Sequence, residues 1–214
     1  MRLDPGAFNR FLSHIGQEVA WRRSYSCACL NHASGQPDPK HALCGGKGRI
    51  WDAPVKTVVG VASQATLAQW AKFGQWESGD AIVSVPESSP LYDAAQFDRV
   101  VMLNSTDTFS QPLTRGAPSE VLKFAIAKLN RVFWLNPLDR NQIVEGAIPV
   151  VDSNGDLSWA GGIGEPPAGA TYSITGDKYT EYFVFNNLSS DRGEHSGARL
   201  PKKIVLRRFD LFSR

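Results

Sequence analysis

All three cysteines of the chain and two of its four histidines lie within one short stretch, residues 25–51. Cys27-x-Cys29 and His41-x-x-Cys44 form two short pairs of possible metal ligands, and a loop with prolines separates them. Zinc prefers four tetrahedral nitrogen or sulfur ligands, and two pairs joined by a turn provide them. Because three thiolates and one imidazole complete the coordination sphere, this set predicts a structural zinc site with no open position for catalysis.

Two alternatives to this ligand set remain open on the sequence alone. Free cysteines are among the most buried residue types, so the three thiols could instead be ordinary core side chains. His32 competes with His41 as the fourth ligand, because Cys29-x-x-His32 also has a workable spacing. We favour His41, since Cys44 otherwise lacks a nearby partner and the two glycines after it free the backbone to fold the sulfur donors inward. The run from Cys44 to Ile50 resembles half of a C-x-G-x-G repeat from J-protein zinc domains, in local sequence only.

Sequence motifs that carry catalytic groups are missing from the rest of the chain. There is no Gly-x-Ser-x-Gly elbow, no P-loop and no dinucleotide-binding fingerprint. The glycines of residues 161–164 are followed by Glu-Pro-Pro, so no helix N-terminus can receive a phosphate there. Glu194 and His195 could form a catalytic pair, but the polar loop around them offers no packed shell to orient a base. We therefore predict that the protein is not an enzyme.

Basic residues are concentrated towards the C-terminal end of the sequence. Residues 199–214 contain six basic residues and one acidic residue, a net charge of +5 against +2 for the whole chain. The candidate DNA-facing or partner-facing residues in this region are Lys202, Lys203, Arg207 and Arg208. Either these charges protect an edge strand against unwanted pairing, or they attract the phosphates of DNA or an acidic partner.

Short apolar runs separated by closely spaced turn signals predict a mainly β fold, a small β-barrel or sandwich. A short helix precedes the strands: Asp4 can cap it, Pro5 can begin it and Gly16 can end it. Its apolar stripe, at helical spacing, consists of Phe8, Phe11, Leu12 and Ile15. Strand patterns follow at residues 19–29, 55–61, 81–85, 121–135, 172–175, 182–185 and 204–206, and a hairpin pattern at 148–159. We expect three segments: the N-terminal helix and first strand (1–24), an inserted zinc-binding hairpin (25–51), and a barrel or sandwich with long loops (52–214).

Composition and the N-terminal sequence argue against several classes of protein. An odd number of clustered cysteines is not typical of the disulfide frameworks of secreted proteins. The opening Met-Arg-Leu-Asp-Pro-Gly lacks the apolar region of a signal peptide. Apolar runs long enough to cross a bilayer are also missing. We therefore expect a soluble protein without membrane contact, which matures in a reducing cytoplasm.

Motifs spread over nearly the whole chain resemble those of a family of structural proteins of tailed bacteriophages, the neck components that join head to tail. One part of the resemblance is the stretch that begins at Cys27-x-Cys29 and ends at Cys44-Gly-Gly-Lys-Gly-Arg. The other parts are Gly79-Asp80, Ser89-Pro-Leu-Tyr92, Phe97-Asp-Arg-Val100, Arg131-Val-Phe-Trp134 and Leu206-Arg-Arg-Phe-Asp-Leu-Phe212. Many relatives have Cys-x-x-Cys where this chain has His41-x-x-Cys44. That change keeps four zinc ligands and favours His41 as one of them.

This resemblance implies a non-enzymatic virion protein, a head-to-tail connector or stopper assembled in the host cytoplasm. Stopper-type proteins are small β-barrels that form rings below the portal. The implied partners are further copies of the chain, portal or adaptor proteins, tail proteins and packaged DNA in the channel. The residues leave open an alternative of a different class, a zinc-containing nucleic-acid-binding protein that uses the basic C-terminal strand. A monomer whose DNA affinity falls steeply with salt would favour that alternative, whereas a ring would favour the connector.

Overall fold

A computed structural model describes residues 5–41, 43–62, 72, 77, 79–139, 141–152, 155–160, 164–188, 194–195 and 198–212. Within this part of the chain there is one α-helix, α1 (Pro5–Ile15), and there are 3-10 turns at Pro90–Asp93 and Phe209–Leu211. The strands are β1 (Gln17–Arg22), β2 (Ser24–Ser26), β3 (Arg49–Trp51), β4 (Val55–Val61), β5 (Ala81–Val85), β6 (Arg99–Thr114), β7 (Ile126–Leu135), β8 (Ile143–Glu145), β9 (Val150–Val151), β10 (Leu157–Ser158), β11 (Thr171–Leu188), β12 (Glu194–His195), β13 (Ala198–Arg199) and β14 (Lys202–Arg208).

The chain divides into two compact units. The first consists of Met1–Asn104 and Glu181–Arg214, and the second of Ser105–Thr180. Strands β6 and β11 contribute to both units, because each passes from one into the other. The four candidate metal ligands and the basic residues of β14 all belong to the first unit.

The first unit contains a closed, six-stranded antiparallel β-barrel, which confirms the predicted fold class. The strands follow one another around it in the order β14, β5, β4, β1, β6 and β11, and pairing between β11 and β14 closes the ring. Strand β14 is therefore paired on both sides, with β5 through Lys202↔Val85 and with β11 through Tyr182↔Arg208. The interpretation of its charges as protection for an edge strand is wrong, because β14 has no open edge.

Side chains fill the interior of the barrel. Its core consists largely of branched aliphatic residues, which suit the alternating inward positions of strands. The members with no exposed surface are Val19, Val59, Val83, Val85, Leu91, Val100, Val184, Ile204 and Leu206. A barrel packed in this way is a solid core and not a pore.

Helix α1 lies on β4, and Leu12 is the one buried side chain among those described in the helix. Leu12 is 4% exposed, and its Cδ2 lies so close to Gly60 that a Cβ there would approach it to 2.6 Å. Phe11 and Ile15, which belong to the predicted apolar stripe, are 57% and 56% exposed. The helix bounds agree with the prediction, but most of the stripe does not enter the core. The side chain of Phe8, the fourth member of the stripe, lies outside the described part of the chain.

The second unit has its own core, between the later part of β6, strands β7 and β8, and the earlier part of β11. Its buried members are Leu113, Leu122, Leu129, Val132, Trp134, Tyr172 and Ile174. A partly buried polar network supports it: the Tyr172 hydroxyl donates to Glu120 at 2.8 Å, and Arg115 forms ion pairs with Glu120 and Glu165. The predicted hairpin at 148–159 corresponds to the pair β9 and β10.

Several strand boundaries differ from the sequence-based expectation. The pattern at 121–135 becomes a strand only at Ile126, since Leu122 donates its backbone N–H to Gly155 instead. The patterns at 172–175 and 182–185 are parts of one strand, β11. The pattern at 19–29 is divided between β1 and β2. In each case contacts with residues distant in sequence override the local pattern.

Candidate metal centre

A two-stranded sheet apart from the barrel carries the candidate metal ligands. Strands β2 and β3 pair through Ser24↔Trp51 and Ser26↔Arg49, and the chain between them forms a loop. We call residues 24–51 the cysteine arm. Its pairing continues one step beyond β2, where Cys27 donates its backbone N–H to Gly48 at 2.9 Å. Cys27, the first ligand of the first predicted pair, therefore has a defined position relative to the returning strand.

Glycines allow the backbone to turn around the ligand atoms. Gly45 and Gly46 have φ angles of 57° and 77°, in the left-handed region that glycine adopts without strain. A Cβ at Gly46 would come within 2.8 Å of the carbonyl oxygen of Pro39. The N–H of Gly45 donates to His41 at 2.9 Å, which forms the turn that contains Cys44. These φ angles agree with the freedom that the sequence analysis expected after Cys44.

The structure brings the side chains of Cys27, Cys29, His41 and Cys44 together. Their ligand atoms all lie within 4.8 Å of one another. The sulfur atoms of Cys29 and Cys44 are 3.5 Å apart, and Nδ1 of His41 lies 3.5 Å from Cys27 Sγ and 3.6 Å from Cys44 Sγ. Tetrahedral ligands with metal–sulfur bonds of about 2.3 Å lie roughly 3.5–3.8 Å apart. This group could therefore hold a metal ion.

The competing ligand, His32, is not part of this group. Its side chain is exposed, whereas His41 is half-buried against the sulfur atoms. Cys27 and Cys44 are buried and Cys29 is half-buried, and none of the three forms a disulfide. The arrangement also separates them from the barrel core, to which none of them contributes.

The surroundings of two cysteines shift their pKa values in opposite directions. Burial is the main cause that raises the pKa of Cys29, and hydrogen bonds with Cys27 and Cys44 raise it further. Burial would also raise the pKa of Cys44, but hydrogen bonds from the Gly48 backbone, His41 and other neighbours outweigh it and lower the pKa. The pocket thus favours a thiolate at Cys44, and a thiolate is the form that binds metal.

A buried carboxylate connects the cysteine arm to the barrel. Asp98 has no exposed surface, and it accepts the indole N–H of Trp21 at 2.9 Å and the backbone N–H of Ser24 at 2.8 Å. It therefore joins the end of β1 to the start of β2 and explains why the strand pattern is interrupted between them. Trp51 of β3 adds a second link, because its indole donates to the Phe97 carbonyl at 3.1 Å.

Aromatic rings and cations complete the contact between arm and barrel. Trp51 packs edge-on against Phe209, with ring centroids 5.5 Å apart. Lys47 Nζ lies 4.2 Å from the centre of the Phe209 ring, and the Arg49 guanidinium lies 4.4 Å from the Phe97 ring. Such contacts between cations and aromatic faces are attractive. The arm is therefore attached through Trp51 and Arg49 at its base and through Lys47 beside the cysteines, where the Lys47 backbone N–H donates to the Cys44 carbonyl.

Most of the predicted partner-facing residues of β14 are engaged within the chain. Arg207 donates two hydrogen bonds to Asp80, at 3.1 and 3.0 Å, and stacks on Phe185 at 3.7 Å. Lys202 donates to the Tyr92 carbonyl at 3.1 Å. Arg208 lies 3.9 Å from Asp210. Of the four, only Lys203 has an exposed side chain in the described structure.

Three charged residues to which the sequence assigned no role, Arg22, Arg99 and Glu181, form a cluster on the barrel. Arg22 and Arg99 are direct neighbours on β1 and β6, and Arg99 donates to Glu181. In the sequence Arg22 lies inside the strand pattern at 19–29 and Arg99 inside the Phe97-Asp-Arg-Val100 motif, and neither pattern indicates a charged cluster. Glu194 and His195, considered above as a catalytic pair, form β12, which pairs with β13.

No protein-family model matches the chain, and neither does any curated protein. Within the described residues, no helix combines the length and apolar character that crossing a bilayer requires.

Proposed function

We propose that the chain is a non-enzymatic virion protein of a tailed phage, a head-to-tail connector or stopper that forms a ring in the neck, and that its cysteine arm holds a structural zinc ion. The observation that carries this proposal is the closed group of Cys27, Cys29, His41 and Cys44 on an arm outside the barrel. Four such ligands fill the sphere of a tetrahedral zinc ion, so that the metal serves structure and not substrate binding.

Zinc suits this arm because the arm has little apolar core of its own. Among the described residues of the arm, the buried side chains are Cys27 and Cys44, and Leu43 between the ligands is 72% exposed. Small lobes that cannot bury enough apolar surface commonly depend on metals or disulfides. Binding of the ion then supplies the free energy that keeps the arm folded.

The filled interior of the barrel favours a ring of several copies, because a channel for DNA then has to lie between copies. Because side chains such as Val83 and Ile204 fill the interior, the barrel cannot itself be the channel. A ring forms when one heterologous interface repeats through a rotation that closes. The neighbours in this proposal are portal or adaptor proteins on one side and tail proteins on the other, in a virion assembled in the host cytoplasm.

The nucleic-acid-binding alternative receives less support from the contacts of β14. Binding to phosphates requires cations that are free to face them. Arg207 is held by Asp80, and Lys202 by a backbone carbonyl. These engagements favour the connector over the alternative.

Deletion of the gene from the phage genome tests the connector. We expect filled or leaking heads beside complete, separate tails, with DNA replication and lysis unchanged. Electron micrographs of complete particles should show the protein as a ring between head and tail. Loss of replication, heads that never package DNA, or isolated single copies in the virion would contradict the proposal.

A further inference from the structure

Two arginines face each other on neighbouring strands of the barrel. Arg22 ends β1 directly opposite Arg99, which begins β6. Trp21 belongs to the barrel core, so the next side chain, Arg22, points to the exterior face. Like charges directly opposite each other destabilise a sheet. This pair therefore needs negative charge nearby.

Glu181 binds Arg99 directly and acts on Arg22 through its charge. Nε of Arg99 donates to Oε2 of Glu181 at 2.9 Å, and Nη2 of Arg99 forms an ion pair with the same oxygen. Both side chains are largely buried, with 15% and 6% exposure. The Arg99 guanidinium also stacks 4.5 Å from the centre of the Phe209 ring. Arg99 is thus held on both sides.

Arg22 remains without a direct partner in the described part of the chain. It is half-buried, and its side chain makes no hydrogen bond or ion pair with the described residues. Burial and the charge of Arg99 lower the pKa of Arg22, whereas the charge of Glu181 raises it. Its planar guanidinium offers five N–H donors in a fork that matches a carboxylate.

We propose that Arg22, with Arg99 and Glu181 beside it, forms a binding site for a carboxylate side chain of a partner protein. The incoming carboxylate accepts two hydrogen bonds from the Arg22 guanidinium. Two arginines and two carboxylates then alternate, which removes the repulsion between the arginines. This carboxylate site depends neither on a metal nor on ring formation.

A carboxylate fits this site better than the backbone of a nucleic acid. Phosphates repeat along a strand, so binding them requires a row of accessible cations. Here Arg99 is already committed to Glu181 and Phe209, whereas no described residue accepts a hydrogen bond from the Arg22 guanidinium. A single half-buried guanidinium selects one planar anion.

The test measures binding of a fluorescent oligoglutamate peptide to the purified full-length protein by anisotropy. Variants R22Q and R22K are compared with R23Q, which changes the adjacent, exposed arginine. We expect R22Q to weaken binding about tenfold, the effect of losing one charge-assisted pair. R22K should retain part of the affinity and R23Q all of it. Equal binding by wild type and R22Q, or no binding by the wild type, would overturn the proposal.

A second arm of the experiment separates the two kinds of anion. An oligothymidylate that carries the same number of charges replaces the peptide. Phosphate binding predicts an affinity for the oligonucleotide that equals or exceeds the affinity for the peptide and that falls steeply with salt. That result would overturn the carboxylate site and indicate a nucleic-acid surface instead. We expect the oligonucleotide to bind more weakly than the peptide, with the same affinity in the wild type and in R22Q.

Thermal unfolding of the free protein provides a readout independent of ligand. Because Arg22 repels Arg99 when the site is vacant, R22Q should raise the unfolding temperature by about 1–3 °C. A lower unfolding temperature of R22Q would mean that Arg22 serves the fold itself, and it would overturn the proposal.

Discussion

Sγ of Cys29 and Sγ of Cys44 lie 3.5 Å apart, although the two residues come from opposite ends of the loop in the cysteine arm. A disulfide requires about 2.05 Å between sulfur atoms. The observed separation is instead that of two ligands of one ion. The same proximity makes these two thiols the pair most readily oxidised once a metal is removed.

Removal of the metal should therefore allow an added oxidant to convert this pair into a disulfide. After chelation, hydrogen peroxide should link Cys29 to Cys44, with the loss of two hydrogen atoms from the intact mass and reduction of the peroxide to water. The C29S variant should lose the cross-link and the C27S variant should keep it. Metal-loaded protein should resist oxidation, because its thiolates are coordinated. A cross-link that instead joins Cys27 would contradict the observed arrangement.

Replacement of His41 should separate the two candidate fourth ligands. We expect protein purified without chelator to contain about one zinc ion per chain, as a closed four-ligand site predicts. H41A should lose the zinc, whereas H32A should retain it, because His32 is exposed and lies outside the ligand group. Elemental analysis measures both. Zinc retained by H41A and lost by H32A would reverse the assignment.

The buried ion pair between Asp80 and Arg207 should contribute strongly to stability. The Asp80 side chain has no exposed surface, and that of Arg207 is 14% exposed. D80N removes the negative charge from this buried pair, so the free energy of unfolding should fall by about 3 kcal/mol. R131A breaks the exposed pair with Glu145 and should leave the urea midpoint almost unchanged. Similar urea midpoints for D80N and the wild type would contradict this prediction.

Tyr172 should make the protein sensitive to alkaline pH. Burial, and then its hydrogen bond to the Glu120 carboxylate, hold the pKa of Tyr172 well above the ordinary value of 10.0. Its contribution to stability is therefore complete below pH 10 and is lost as the pH rises further, because only the unfolded form ionises readily. Y172F should lower the free energy of unfolding by about 1–2 kcal/mol at neutral pH. The difference from wild type should shrink above pH 10, as measured by urea unfolding at several pH values.

The metal ligands could be predicted because their geometry is local. Cys27 and Cys29, and likewise His41 and Cys44, are separated by one or two residues, and nearby glycines turn the backbone. The sequence distance within each pair is therefore enough to indicate a common site. The same local signals correctly placed α1 and several short strands.

The roles of the basic residues could not be predicted from sequence, because their partners are distant in the chain. Asp80 lies 127 positions before Arg207, and no sequence pattern around either residue predicts that they form a pair. The division between β1 and β2 has the same cause, since Asp98 reaches Ser24 across 74 positions. Strand β6 was missed over much of its length, because exposed polar residues such as Asn104 and Ser105 interrupt its apolar pattern.

The position of β14 in the barrel has a consequence for synthesis. Translation proceeds towards the C-terminus, so β14 leaves the ribosome after every other barrel strand. Until then the edges of β5 and β11 that pair with it stay open, and such edges can capture strands of other nascent chains. The barrel must therefore complete its folding late, when the β14 segment is released, and a ribosome stalled before Lys202 would hold a sheet that cannot close.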